Sequence, residues 1–110
     1  NNFLIAFRDE SNQHNGTAIV GNADNNILTF GSPSVFNIKK TDNISIAKVD
    51  DNNFVIAYTD HDNSKKGTVI EGTASGFNLS WDTEIVFNVD LREGANGAVG
   101  FNRTSYPWIF

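Results

Sequence analysis

The sequence predicts an all-β fold, and three observations carry that expectation. In the opening segment Phe3, Ile5 and Phe7 alternate with Leu4, Ala6 and Arg8, the period of two that sends successive side chains to opposite faces of a strand. Clusters of Asn, Asp and Gly interrupt the chain about every ten residues, as turns between short strands do. No window sustains apolar residues at a spacing of about 3.6, so helix is not expected anywhere.

The elements follow in order. The first strand occupies 3–8 and ends in an Asp/Asn-rich loop. Residues 16–20, Gly-Thr-Ala-Ile-Val, form the second, and 23–26 make a turn. Ile27–Phe30 and Ser34–Asn37 form a third strand broken in the middle. Residues 44–49 form the fourth, joined by Asp50-Asp51-Asn52-Asn53 to Phe54 in a tight hairpin turn.

That pattern then recurs. Sliding Phe3 onto Phe54, an offset of 51, needs no gap through Asn37 and Asn88, and 14 of the 35 aligned pairs are identical. Asp9/Asp60, Asn12/Asn63, Gly16/Gly67, Gly21/Gly72 and the Val-Phe-Asn triplets at Val35 and Val86 are among them. Four antiparallel strands in about 50 residues, repeated, is the pattern of β-propeller blades. The expected fold is therefore two four-stranded blades. A β-sandwich is the alternative, though it would not need two copies of one strand pattern. The first repeat covers 1–51, starting at its second strand, and the second covers 52–102. Asn43-Ile44-Ser45-Ile46 matches 96–99 at an offset of 53, which sets Trp108-Ile109-Phe110 opposite Val55-Ile56-Ala57. Residues 103–110 thus begin a third repeat or form a closing strand.

Composition excludes several classes of function. The 110 residues contain no cysteine, hence no disulfide, thiol nucleophile or cysteine-ligated metal. A net charge of −5 argues against nucleic acid as a partner. No apolar run approaches the roughly 20 residues of a membrane helix, so no membrane insertion is expected. Methionine is absent even at position 1, which marks a processed product or a piece of a longer chain.

The elements Ile-Ala-Tyr-Thr-Asp at 56–60 and Gly-Thr-Val-Ile-Glu-Gly at 67–72, with their copies at 5–9 and 16–21, resemble tandem blade repeats of large secreted bacterial and cyanobacterial proteins. The resemblance covers nearly the whole chain. It implies propeller blades and a secreted or cell-surface location, and it transfers no activity. Glu10-Ser11 and His61-Asp62 stand where those repeats usually carry Gly-Gly. Because a propeller closes with about four to eight blades, two blades leave open edges that invite pairing with another chain. By analogy with small lectins built from two-blade chains, homo-oligomers are expected, with self-association through edge strands and a trimer of six blades the simplest ring.

Candidate ligand-binding residues are Arg8, Asp9, Tyr58, Asp60 and Trp81. Asp9 and Asp60 sit just past the end of equivalent strands, where a carboxylate either receives sugar hydroxyls or organises the next loop through backbone N–H bonds. Tyr58 and Trp81 offer rings for a sugar face or for packing between blades. Trp108, Tyr106, Arg92 and Arg103 are further polar or aromatic candidates. Asp60-His61-Asp62-Asn63 faintly resembles the start of a calcium loop but has Lys65 where such a loop needs its glycine. No metal, cofactor or catalytic residue is expected, because no nucleophile–base pairing or Gly-x-Ser-x-Gly elbow is present. The function expected is a secreted, non-enzymatic, carbohydrate-binding lectin acting through repeated shallow sites on glycans. A structural or adhesive segment of a larger surface protein is the alternative.

Overall fold

The computed structural model describes residues 1–89 and the strand backbones of 99–101 and 107–109. The first sheet contains β1 (Asn2–Asp9), β2 (Asn15–Asp24), β3 (Ile27–Phe30) and β4 (Ser34–Asn37). β1 lines one edge of β2, while β3 and β4 share its other edge, pairing with 21–24 and 16–18 respectively. The interrupted third strand read from the sequence is thus one ladder position filled by two pieces. The second sheet contains β5 (Thr41–Lys48), β6 (Asn53–Asp60), β7 (Lys66–Ser75), β8 (Asn78–Trp81) and β9 (Ile85–Asn88), in the order β5-β6-β7-β8 with β9 also on β7. β10 (Val99–Phe101) pairs with β11 (Pro107–Ile109). All pairings are antiparallel. The described residues form no α-helix, and their single helical turn is a 3₁₀ turn at His61–Asn63.

The repeat is reproduced in hydrogen-bond register. Phe3↔Gly21 becomes Phe54↔Gly72, Gly21↔Phe30 becomes Gly72↔Trp81, and the bulge at Gly16/Thr17 recurs at Gly67/Thr68. The third pairing obeys the other offset: Ile46↔Ile56, Ala47↔Val55 and Lys48↔Phe54 become Val99↔Ile109, Gly100↔Trp108 and Phe101↔Pro107. Repeat and sheet are out of phase by one strand. β5 belongs to the first repeat by sequence, yet it pairs with β6 and opens the second sheet.

Turn chemistry and turn type differ between the copies, while the two-residue length of the hairpin holds. The β2–β3 turn places Asn25 and Asn26 at φ 50° and 65°, the two positive values of a type I′ hairpin, which asparagine tolerates. Its counterpart uses Gly76 at φ +59° followed by Phe77, with the positive value at the first central position as in type II′.

The two sheets pack face to face. From the first come Leu4 and Ala6 of β1, Ala18 of β2 and Phe36 of β4; from the second come Ile46, Phe54, Ile56, Tyr58, Ile70, Leu79 and Trp81. Phe36 is the link, with its ring 5.3 Å from Tyr58 and 5.6 Å from Trp81. Since Leu4 and Ala6 point inward, their neighbours Phe3, Ile5 and Phe7 point to the outer face of the first sheet. The architecture is all-β, with two antiparallel sheets stacked as in a sandwich and neither sheet closed on itself.

Candidate functional site

Of the residues singled out from the sequence, Arg8, Asp9, Tyr58 and Asp60 lie toward one end of the inter-sheet seam and Trp81 toward the other, level with Phe54, and most of them hold the sheets together. Tyr58 is 1% exposed and its Oη donates to Glu84 Oε2 at 2.6 Å. Burial, and then the adjacent Glu84 carboxylate, push its hydroxyl pKa well up. Trp81 Nε1 donates to Ser34 Oγ across the seam at 2.9 Å, and its ring meets Phe54 edge-on at 5.5 Å. These rings face the core between the sheets.

Asp9 and Asp60 are equivalent in sequence and differ in surroundings. Asp9 Oδ1 accepts from the Ser11 N–H at 3.1 Å and the Ser11 hydroxyl at 2.7 Å, organising its loop as an Asx turn. Asp60 is 6% exposed and accepts from Asn37 Nδ2 of the other sheet at 3.4 Å; the same amide donates to Thr41 Oγ1 at 2.9 Å. Burial raises the Asp60 pKa, the Asn37 amide opposes that, and Glu84 adds to it.

Arg8 bridges the sheets. Its guanidinium donates to Glu10 Oε1 through Nε at 3.0 Å and also reaches Asp42 Oδ1 on β5. The hydrogen bond to Glu10 chiefly raises the Arg8 pKa, and the same bond holds the Glu10 carboxyl below its ordinary range. His14 pairs with Glu10, and His61 Nε2 lies 3.0 Å from Asp42 Oδ2, within ion-pair distance but outside hydrogen-bond geometry. The calcium-like stretch folds as the 3₁₀ turn, with Asp62 3.9 Å from Lys39 Nζ. Among the described residues no three acidic or histidine side chains converge as a metal site. Arg92, Arg103, Tyr106 and the side chain of Trp108 lie outside the described residues.

The concave feature is at the opposite end of the seam, roughly 20 Å away at about 3.3 Å per strand residue. It is a cleft of about 370 Å³ between the sheets. Leu4 and Val20 line it from the first sheet and Ile46 and Phe54 from the second, with Asn2, Lys48, Asp50, Asp51 and Asn53 at its border. The β5–β6 turn builds that border. Asp50 Oδ1 accepts from the Asn52 and Asn53 N–H groups, each at 2.9 Å, while the Asn53 side-chain amide donates to both Asp50 oxygens. These bonds, led by the Asn53 side chain, hold the Asp50 pKa below its ordinary value. Asp51 projects into solvent, 3.4 Å from Lys48 Nζ. Sequence reasoning treats 50–53 as turn chemistry alone. The available signal was two adjacent carboxylates beside the aromatic Phe54 at a sheet junction.

Comparison with known protein families, curated proteins and solved structures finds no match for this chain.

Proposed function

We propose that the chain is a non-enzymatic carbohydrate-binding module, built from two propeller blades and acting outside the cell, with its glycan site in the inter-sheet cleft. The observation that carries this reading is the cleft's composition: apolar Leu4, Val20, Ile46 and Phe54 beneath a border of carboxylates, amides and one ammonium. A sugar presents apolar C–H faces and hydroxyls that donate to carboxylates, and a concave site with an apolar lining and a few placed polar groups suits it. Asp50 is already fixed by its turn, so it meets a hydroxyl without first being ordered. Repeat-level register between the sheets supports the blade reading. The position equivalent to Asp50 at the offset of 53 is Arg103, so the sequence does not repeat this acidic turn.

A glycan panel followed by calorimetry on the best binder tests the proposal. Asp51→Ala, which leaves the turn's internal bonds intact, is expected to weaken binding about tenfold, the worth of one hydrogen bond to a charged group. Arg8→Ala, at the far end of the seam, is expected to leave the affinity unchanged. A panel without a binder overturns the proposal, as does an affinity indifferent to Asp51→Ala and Lys48→Ala together.

A further inference from the structure

The seam between the sheets has a template on each outer surface. Sheet one offers its inner face to sheet two through Leu4, Ala6, Ala18, Ser34 and Phe36. The repeat-equivalents of these residues on sheet two are Val55, Ala57, Val69, Ile85 and Phe87, which alternation places on its outer face. Conversely, the seam residues of sheet two, Phe54, Ile56, Tyr58, Ile70 and Trp81, have as equivalents Phe3, Ile5, Phe7, Ile19 and Phe30 on the outer face of sheet one. Even the aromatic geometry is copied: Phe3 and Phe30 meet at 5.9 Å and 89°, as Phe54 and Trp81 do at 5.5 Å and 89°. One chain thus displays both halves of an interface it has already formed once, the half on sheet two being open at Ile85 and Phe87 of β9, while Ala57 is buried and β10 meets β5 and β6.

The substitutions between the copies are matched across that interface. Inside, the Trp81 indole N–H needs the Ser34 hydroxyl. Outside, the same two positions are Phe30 and Ile85, so donor and acceptor have disappeared together and an apolar pair remains. Asp60 with Asn37 becomes Asp9 with Asn88, the same two residue types. At Val20 the outer copy carries a charge, Glu71, and Val20 lies at the cleft end of the face. Phe30 is 49% exposed, Ile5 43%, Phe87 44% and Ile85 65%, more large apolar surface than a sheet leaves open without a partner.

We infer that this surface is an interaction site for a second copy of the chain, the outer face of sheet one (Ile5, Phe7, Phe30) taking the outer face of sheet two (Ile85, Phe87) of the next copy. The contact is heterologous, head to tail, and buries sheet faces rather than edge strands. It does not depend on the glycan reading.

The native chain has no cysteine, so single substitutions report on the contact cleanly. Phe30→Cys and Phe87→Cys chains, mixed and treated with a short bismaleimide, are expected to give a covalent dimer, because the equivalent rings inside, Trp81 and Phe36, are 5.6 Å apart. Either variant alone is expected to stay at 12.1 kDa. Light scattering of the unmodified chain is expected to show multiples of that mass, lost on Phe30→Asp or Phe87→Asp with the circular dichroism retained. Should the aspartate variants fail to fold, the mixed cross-link alone decides. A monomer at every concentration overturns the inference and leaves the face to another occupant. Cross-linking of Phe30→Cys with itself, the mark of an isologous contact, overturns it equally.

Discussion

Phe36 and Phe87 occupy the same place in the two repeats, yet they should respond oppositely to truncation. Phe36 is 7% exposed, its ring meeting Tyr58 edge-on at 5.3 Å and Trp81 at a tilt at 5.6 Å. Removing a buried phenyl ring costs about 3–5 kcal/mol, and the aromatic pairs account for roughly 0.5–1.5 kcal/mol each beyond their area. The total stability of a domain is about 5–15 kcal/mol, so Phe36→Ala removes roughly a fifth of it or more. With a urea slope of about 1–3 kcal/mol/M, the denaturation midpoint should fall by at least about 1 M. Phe87 is 44% exposed and is not part of the buried cluster, so Phe87→Ala should change the stability by no more than the roughly 0.5 kcal/mol typical of surface positions. Both variants are compared with the parent by urea titration of far-ultraviolet circular dichroism, at protein concentrations low enough for single chains. Equal losses for the two variants would refute the assignment of inner and outer faces. A Phe36→Ala chain within about 1 kcal/mol of the parent would refute the seam as the principal core.

Two further predictions concern the same seam. A Cβ on Gly72 would meet the Phe54 ring at 2.3 Å and the Trp81 ring at 2.7 Å, so Gly72→Ala should cost about 1–3 kcal/mol by overpacking. Gly21→Ala meets Phe3 equally closely but on the open face, where the ring has room to swing, and thermal melts should show a smaller loss. Asp60 has its pKa raised in the fold, so its contribution is fully present below the ordinary carboxylate range and declines as pH rises through the folded value. Asp60→Asn keeps an acceptor for Asn37 and removes the buried charge. It should therefore raise the urea midpoint at pH 7, with the gain vanishing toward pH 3. A variant less stable than the parent at pH 7 would show that the carboxylate is held there by partners that outweigh its burial.

Much of the fold is legible in the residues themselves. Alternation at 3–8 and 54–59 and Asn25-Asn26 at a hairpin are local signals whose physics is complete within a few residues. Ser75-Gly76-Phe77 closes the equivalent hairpin through a different turn type. What local signals do not carry is which face of a strand meets which sheet. Phe3, Ile5 and Phe7 read identically to Phe54, Ile56 and Tyr58, and only stacking distinguishes an open face from a buried one. The forward pairing of 41–48 with β6 was legible for a different reason, the Asp50–Asn53 hairpin turn between them, and the register bears it out.

The same ambiguity explains why repetition pointed to Asp9 and Asp60 as a site. In a stacked repeat, a residue kept in both copies is one that the stacking requires wherever it occurs. Asp60 supports this: its carboxylate takes the Asn37 amide across the seam, and Asn37 has its own repeat partner in Asn88. Asp9 keeps the side chain but has no sheet against it in a single chain, so it falls back on its own loop through Ser11. Identity between repeats therefore marks the interface, and the interface is hidden from ligands. Recognition must come from places where the copies differ and water still reaches. The turn carrying Asp50 and Asp51 meets both conditions, since its counterpart at the offset of 53 reads Arg103-Thr104 and the turn residues are exposed. A functional residue in this fold is therefore better sought by asking where the repeat breaks than by asking where it holds.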